Sequence, residues 1–250
     1  MSRRLAALVI AAALMAAGCS STNDASQQSG SITVAAATSL TNAFNAITSA
    51  FEAANPGTSV TMSFGASSTL ATNINDGAPI DVFAAADAKN IDKVASKLSG
   101  SAEVFTTNRL AIMVQPGNPK GVKGLADLAR GDVSVATCNT DVPIRTYTDQ
   151  ALATAGVTAN FVTFEANVGG IVTKITSGAV DAGVVYRTDV IAAGANAEGV
   201  DIPTAQNVVA EYPIGLIGST SNERTARAFI EFVRSAEGQK ILSSFGFGEG

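Results

Sequence analysis

Apolar positions along the chain switch between short continuous runs and stripes at helical spacing. Runs near 32–37, 59–64, 80–86, 110–114, 133–137, 161–164, 182–186 and 213–217 read as strands, and helical stretches separate most of them. That alternation predicts an α/β fold with parallel strands. At 34–44 (VAAATSLTNAF) and again at 63–74 (SFGASSTLATNI) an apolar strand runs into hydroxyl residues and then into an amphipathic helix. Ser39 precedes the stripe Leu40, Ala43, Phe44, Ile47 and Phe51, while Ser67, Ser68 and Thr69 precede Leu70 and Ile74 before Gly77. Both junctions predict serines at helix caps. A last helix over 222–234 shows Ala226, Phe229, Ile230 and Val233 on one face, and Phe245 and Phe247 read as residues sealing a core edge.

A helix start carries unpaired N–H groups and the positive end of the aligned peptide dipoles, so two starts that face each other form a socket for an oxyanion. Open α/β sheets place ligands beyond the carboxyl ends of their strands, where both serine clusters fall. The competing reading is that Ser is simply a favoured cap.

With 250 residues, 46% of them hydrophobic and 15% charged, the chain is long enough for one large domain or two lobes. A formal charge of −5 and the lack of a Lys/Arg stripe argue against nucleic acid as a partner. The sequence contains no histidine, which removes a Ser-His-Asp relay and the usual imidazole ligands of zinc. No strand-to-helix junction carries GxSxG, GxxxxGK[ST] or GxGxxG. Asp81 and Asp87 flank the strand 82–86 and could suggest an acid/base pair; the favoured reading has Asp87 capping the next helix and Asp81 facing solvent. No enzyme and no cofactor are expected.

Arg3 and Arg4 precede the apolar run Leu5 to Ala17, too short for a permanent membrane anchor but suited to an export signal. The run ends in Ala16-Ala17-Gly18-Cys19, which resembles the bacterial lipobox apart from Ala16, where Leu is more usual. On that resemblance residues 1–18 are a lipoprotein signal peptide, Cys19 is lipidated, and the polar stretch 19–31 is a flexible tether. The protein is then extracytoplasmic, lipid-anchored to the cell membrane or periplasmic. Cys138 would be the remaining thiol, so no intrachain disulfide is expected.

The strings ITVAAATSLTNAF at 32–44, SFGASSTLA at 63–71, GAPIDVFAAADAKNID at 77–92, VP at 142–143, NVGG at 167–170 and GVVYRTDV at 183–190 together resemble the molybdate-binding proteins of bacterial ABC importers. The match is colinear from about residue 32 to the end. It implies a type II periplasmic-binding-protein fold: two parallel-sheet lobes, joined by two crossover strands near Asn108 and Tyr212, that close on the ligand. Lobe I would comprise 32–108 plus 213–250 and lobe II 109–212.

The resemblance further implies that molybdate or tungstate, a metal bound as its oxyanion, is held without a counter-charge. The hydroxyls would be those of Ser39, Ser67 and Tyr186, and the backbone donors those of Ile144 and Val168. A tyrosine ending an apolar strand is otherwise a packing residue. Where the family usually has two small residues after Val-Pro, this chain has Ile144-Arg145, so Arg145 either reaches the anion or lies at the rim of the cleft. The partners implied are the small oxyanion, an ABC permease in the cytoplasmic membrane and the membrane itself through the lipid; a monomer is expected. Donors without acceptors select a fully ionised tetrahedral dianion over a protonated one. Sulfate or another small oxyanion is the alternative ligand, and an exported α/β enzyme the remote alternative function.

Overall fold

A computed structural model describes residues 30–250. The signal peptide, Cys19 and the tether up to residue 29 lie outside the described residues. The tether reading ends two residues late, because the first strand already begins at Gly30.

The strands are β1 (Gly30–Ala37), β2 (Thr58–Gly65), β3 (Val82–Ala84), β4 (Glu103–Val114), β5 (Val135–Cys138), β6 (Phe161–Glu165), β7 (Ala182–Tyr186), β8 (Glu198–Asp201), β9 (Val209–Leu216) and β10 (Gly248–Glu249). They pair in the order β2-β1-β3-β9-β4-β7-β5-β6, with β8 and β10 added to β4. β1 is parallel to β2 and β3, and β5 is parallel to β6 and β7. Between these two trios runs an antiparallel pair: β9 against β3 and β4, and β4 against β7. The sheet is therefore mixed: the two parallel trios are those expected of the lobes, and the alternation alone did not give the antiparallel pair between them. The reason is that β4 and β9 are not links of a βαβ series but strands that pass between the trios, and periodicity carries no strand direction.

Within β4, Glu103–Arg109 pairs with β9, while Leu110–Val114 pairs with β7 and β8. Asn108 lies opposite Ala210, and Thr106 opposite Tyr212. The half of β4 before Leu110 was not foreseen, nor were β8 and β10, which are short or polar and lack a clean period.

Both faces of the first trio are covered, as parallel strands require. Val34 and Ala36 of β1 point into the main core, whereas Ala35 points into a second cluster with Leu70, Ile74, Phe83 and Ile91. The main core receives α1 (Thr41–Ala54), which buries Ala43, Phe44, Ile47 and Phe51. It also receives α7 (Glu223–Arg234), which buries Ala226, Phe229 and Val233. The second cluster lies under α2 (Ser67–Asn75) and α3 (Ala88–Asp92). Asp87 caps α3 through the amide of Asn90. Asp81 does not face solvent freely: its carboxylate accepts the Thr33 N–H at 2.7 Å and so ties β3 to β1.

In the other trio, α4 (Pro143–Ala155), α5 (Val168–Thr176) and α6 (Arg187–Ala193) follow β5, β6 and β7 in turn. α8 (Ala236–Ser244) packs beside α1 and α7 and leads to Phe247, which is buried against the core, with Phe245 partly buried there.

Phe229 is fully buried, edge-on to Phe44 at 6.1 Å and to Phe51 at 5.3 Å, and it joins α7 to α1. Phe229→Ala is expected to lower stability by about 3–5 kcal/mol. Urea unfolding should show a lower midpoint with an unchanged slope; a loss below about 1 kcal/mol would mean that the site collapses around the missing ring.

Candidate ligand-binding site

Each of the six strands in the two trios delivers residues to one pocket at its carboxyl end. β1 is followed by Thr38 and Ser39, β2 by Ala66 and Ser67, and β3 by Ala86; β5 leads to Val142, Pro143 and Ile144, β6 to Asn167 and Val168, and β7 ends on Tyr186. The space among them is about 230 Å³, part of it open to solvent. All five residues singled out as a binding set, Ser39, Ser67, Ile144, Val168 and Tyr186, line it.

Neither serine is a cap. The extended residues that open the turns are Ala37 (ψ 143°) and Ala66 (ψ 137°), so Ser39 already lies inside a 3-10 turn over Thr38–Leu40 and Ser67 is the first residue of α2. Their hydroxyls bond elsewhere. Ser39 Oγ is 2.9 Å from Tyr212 Oη, and Ser67 Oγ accepts the Ala86 N–H at 3.0 Å. The competing reading of these serines as ordinary caps is thereby removed.

The amides of Ile144 and Val168 fall in the first turns of α4 and α5, where a helix supplies no acceptor of its own. Pro143 at the start of α4 fixes φ without wasting a donor. Asn167 caps α5 by accepting the Gly170 N–H at 3.2 Å. Gly169 lets this turn approach the first trio closely, since a Cβ there would meet Thr38 Cγ2 at 3.3 Å. Three helices, α2, α4 and α5, thus aim their positive ends at the pocket.

Tyr186 is 2% exposed, and its hydroxyl has no hydrogen-bond partner of adequate geometry among the described residues. Its backbone N–H donates to Asp189 at 2.9 Å, which fixes the turn from β7 into α6. Burial, with the neighbouring Tyr212, Tyr147 and aspartates behind it, holds the Tyr186 phenol well above its ordinary pKa. Tyr212 is raised as well, again chiefly by burial. Both therefore keep their protons. Burial also pushes the Asp189 carboxyl up to about 7 and the Cys138 thiol up to about 12.

No lysine or arginine lines the pocket. Arg145 follows Ile144 directly, but a helix turns successive side chains by about 100° and carries this one outside the pocket wall. There Nε donates to Asp149 at 2.8 Å and Nη1 to the Cys138 carbonyl at 3.3 Å. The guanidinium covers the rings of Phe161 and Phe164, with centroids 4.9 and 5.8 Å away. Among the described residues, no group of three His, Cys, Asp or Glu side chains could hold a bare metal ion.

Three contributors escaped the sequence reading. Ala86 presents only backbone and carries no side-chain signal. Tyr147 of α4 donates to the Ala86 carbonyl at 3.2 Å, spanning the two trios. Tyr212 was foreseen only as a crossover position, although a buried tyrosine in an apolar strand already signals that its hydroxyl has a partner.

Residues 32–248 match the family described as bacterial extracellular solute-binding protein. The chain is 37% identical over 255 residues to the molybdate-binding protein ModA of Mycobacterium tuberculosis, covering 99% of this chain and 97% of that one. Among solved structures, the periplasmic molybdate-binding protein of Azotobacter vinelandii is similar at a TM-score of 0.75 and 22% identity, over 88% of this chain and 99% of that one. The sulfate-binding protein SubI of Mycobacterium tuberculosis reaches 0.80 at 21% identity, over 87% and 86%. Among the described residues no helix is long and apolar enough to cross a membrane. Because the family match spans nearly every described residue and the 37% relative nearly the whole chain, the protein belongs to the bacterial extracellular solute-binding proteins and has their type II periplasmic-binding fold.

Proposed function

We propose that this protein is the extracytoplasmic binding component of an ABC importer for molybdate, with tungstate as a near-equivalent ligand, and that it has no catalytic role. The observation that carries the reading is a pocket on which five donors converge, the hydroxyls of Ser39, Ser67 and Tyr186 and the first-turn amides of Ile144 and Val168, with no cation among its lining residues. The relative named for molybdate binding, at 37% identity, supports the choice of anion. Residues 32–108 together with 213–250 act as one lobe, 109–212 as the other, and β4 and β9 as the hinge between them. In this reading the protein acts as a monomer that delivers its anion to a membrane permease. Arg145 braces the start of α4 from outside and takes no direct share of the ligand.

The likeness in fold to a sulfate-binding protein makes sulfate the comparison that matters. At a thousandfold excess over its dissociation constant a ligand adds about 4 kcal/mol, which for a chain of this size raises the melting temperature by roughly 8–16 °C. Molybdate and tungstate are expected to do so, and sulfate at equal concentration far less. Equal shifts with sulfate, or none with molybdate, would overturn the assignment.

Hydrogen bonds to a charged partner contribute about 1.5–3 kcal/mol each, so Ser39→Ala, Ser67→Ala and Tyr186→Phe should each weaken molybdate binding roughly ten- to a hundredfold in a calorimetric titration. Arg145→Ala should leave equilibrium affinity within a few-fold. A defect as large as that of Ser39→Ala would mean that the guanidinium reaches the anion.

Cys19 is the proposed lipid anchor, on the strength of the lipobox-like Ala16-Ala17-Gly18-Cys19. Cys19→Ser should release the protein into the soluble fraction with its affinity unchanged. An unmodified mature terminus at another residue, found by mass spectrometry, would refute the anchor.

A further inference from the structure

Tyr212 lies on β9, is fully buried, and does not itself line the pocket. Its ring stands edge-on to Tyr186 at 5.8 Å and to Phe247 at 5.6 Å, and its hydroxyl meets Ser39 Oγ at 2.9 Å. We propose that Tyr212 is a positioning residue which donates to Ser39, takes up one lone pair of that serine and favours its proton pointing into the pocket, and so sets discrimination against anions that carry a proton. The inference rests on the oxyanion reading given above.

Geometry alone allows either hydroxyl to donate. If Ser39 donated, the buried Tyr212 proton would have to turn to Asn108 or Tyr186, whose side chains also approach its hydroxyl; Asn108 already donates to Thr188 and accepts the Arg109 N–H, so Ser39 is the acceptor left least engaged. If Tyr212 donates, its proton is satisfied and the single Ser39 proton is left to turn into the pocket that Ser39 lines. Ser67 is arranged the same way: its oxygen accepts the Ala86 N–H, so its proton must go elsewhere. The Tyr186 hydroxyl, at the same pocket, has no partner of adequate hydrogen-bond geometry among the described residues. Two serines that each already accept one hydrogen bond, together with the Tyr186 phenol, turn protons toward the pocket, so the proton of a monohydrogen oxyanion meets donors first.

Tyr212→Phe deletes the hydroxyl and keeps both ring contacts. In that variant Ser39 can rotate and offer its oxygen to a protonated anion. The test uses the full chain, titrated with molybdate in four forms: wild type, Tyr212→Phe, Ser39→Ala and the double variant. Tyr212→Phe should weaken molybdate binding about tenfold when Ser39 is present and less than about twofold when Ser39 is absent.

Near neutral pH, sulfate carries no proton and phosphate carries at least one, while the two are close in size. Competition against molybdate should therefore show the preference for sulfate over phosphate falling about tenfold in Tyr212→Phe. Equal losses with and without Ser39, or an unchanged sulfate-to-phosphate ratio, would overturn the proposal. Melting of the unliganded variant checks that it is folded, and a uniform loss of stability would not produce the dependence on Ser39. Failure of the wild type to bind any of the anions would overturn the oxyanion reading itself, whereas wild-type binding with a silent Tyr212→Phe would overturn only the role of Tyr212.

Discussion

Backbone hydrogen bonds between β4 and β9 join two parallel trios so that the carboxyl ends of all six strands border one space. The geometry of the pocket depends on that antiparallel pair. β4 serves both trios, pairing first with β9 and then with β7, and a change in its register would shift Ser39 and Ser67 relative to Ile144, Val168 and Tyr186. Because side chains alternate along a strand, a slip of one residue would also turn Tyr212 away from Ser39.

The chemistry of the site follows from where helices begin. α2, α4 and α5 start at the pocket wall, and their first amides are short of acceptors for the same reason in each case. Positive potential therefore comes from peptide dipoles in fixed orientation, which an acidic chain with a formal charge of −5 can supply without placing a cation in the cleft. Such donors are already oriented before a ligand arrives, so little ordering cost is left to binding.

Arg145, where the family usually has a small residue, carries its side chain outside the pocket wall. Its charge is engaged by Asp149 and the Cys138 carbonyl, and its flat face covers Phe161 and Phe164, the latter on the edge strand β6 and otherwise half in water. It also ties the first turn of α4 to β5 and β6, the elements that set where the Ile144 amide points. Between the two trios, the Tyr147 hydroxyl bonds the Ala86 carbonyl, and the lack of a side chain at Gly169 leaves room for Thr38 to come close.

The sequence by itself determined the α/β alternation, the buried stripes of α1 and α7 and the serine junctions, whereas the five residues that line the pocket were named through the family its strings resemble. Those features are local, written in a period of two or 3.6 residues or in a short string at a strand end. Only the tertiary structure decided that β4 and β9 run antiparallel to their neighbours, that alanines rather than serines open the turns, that Asp81 holds Thr33, and that the Arg145 side chain faces outward. Ser39 and Tyr212 are 173 residues apart, and Tyr147 and Ala86 are 61 apart. No periodicity reaches across such separations: those contacts exist because strand pairing brings distant segments together, and a buried hydroxyl then takes whatever partner that pairing supplies.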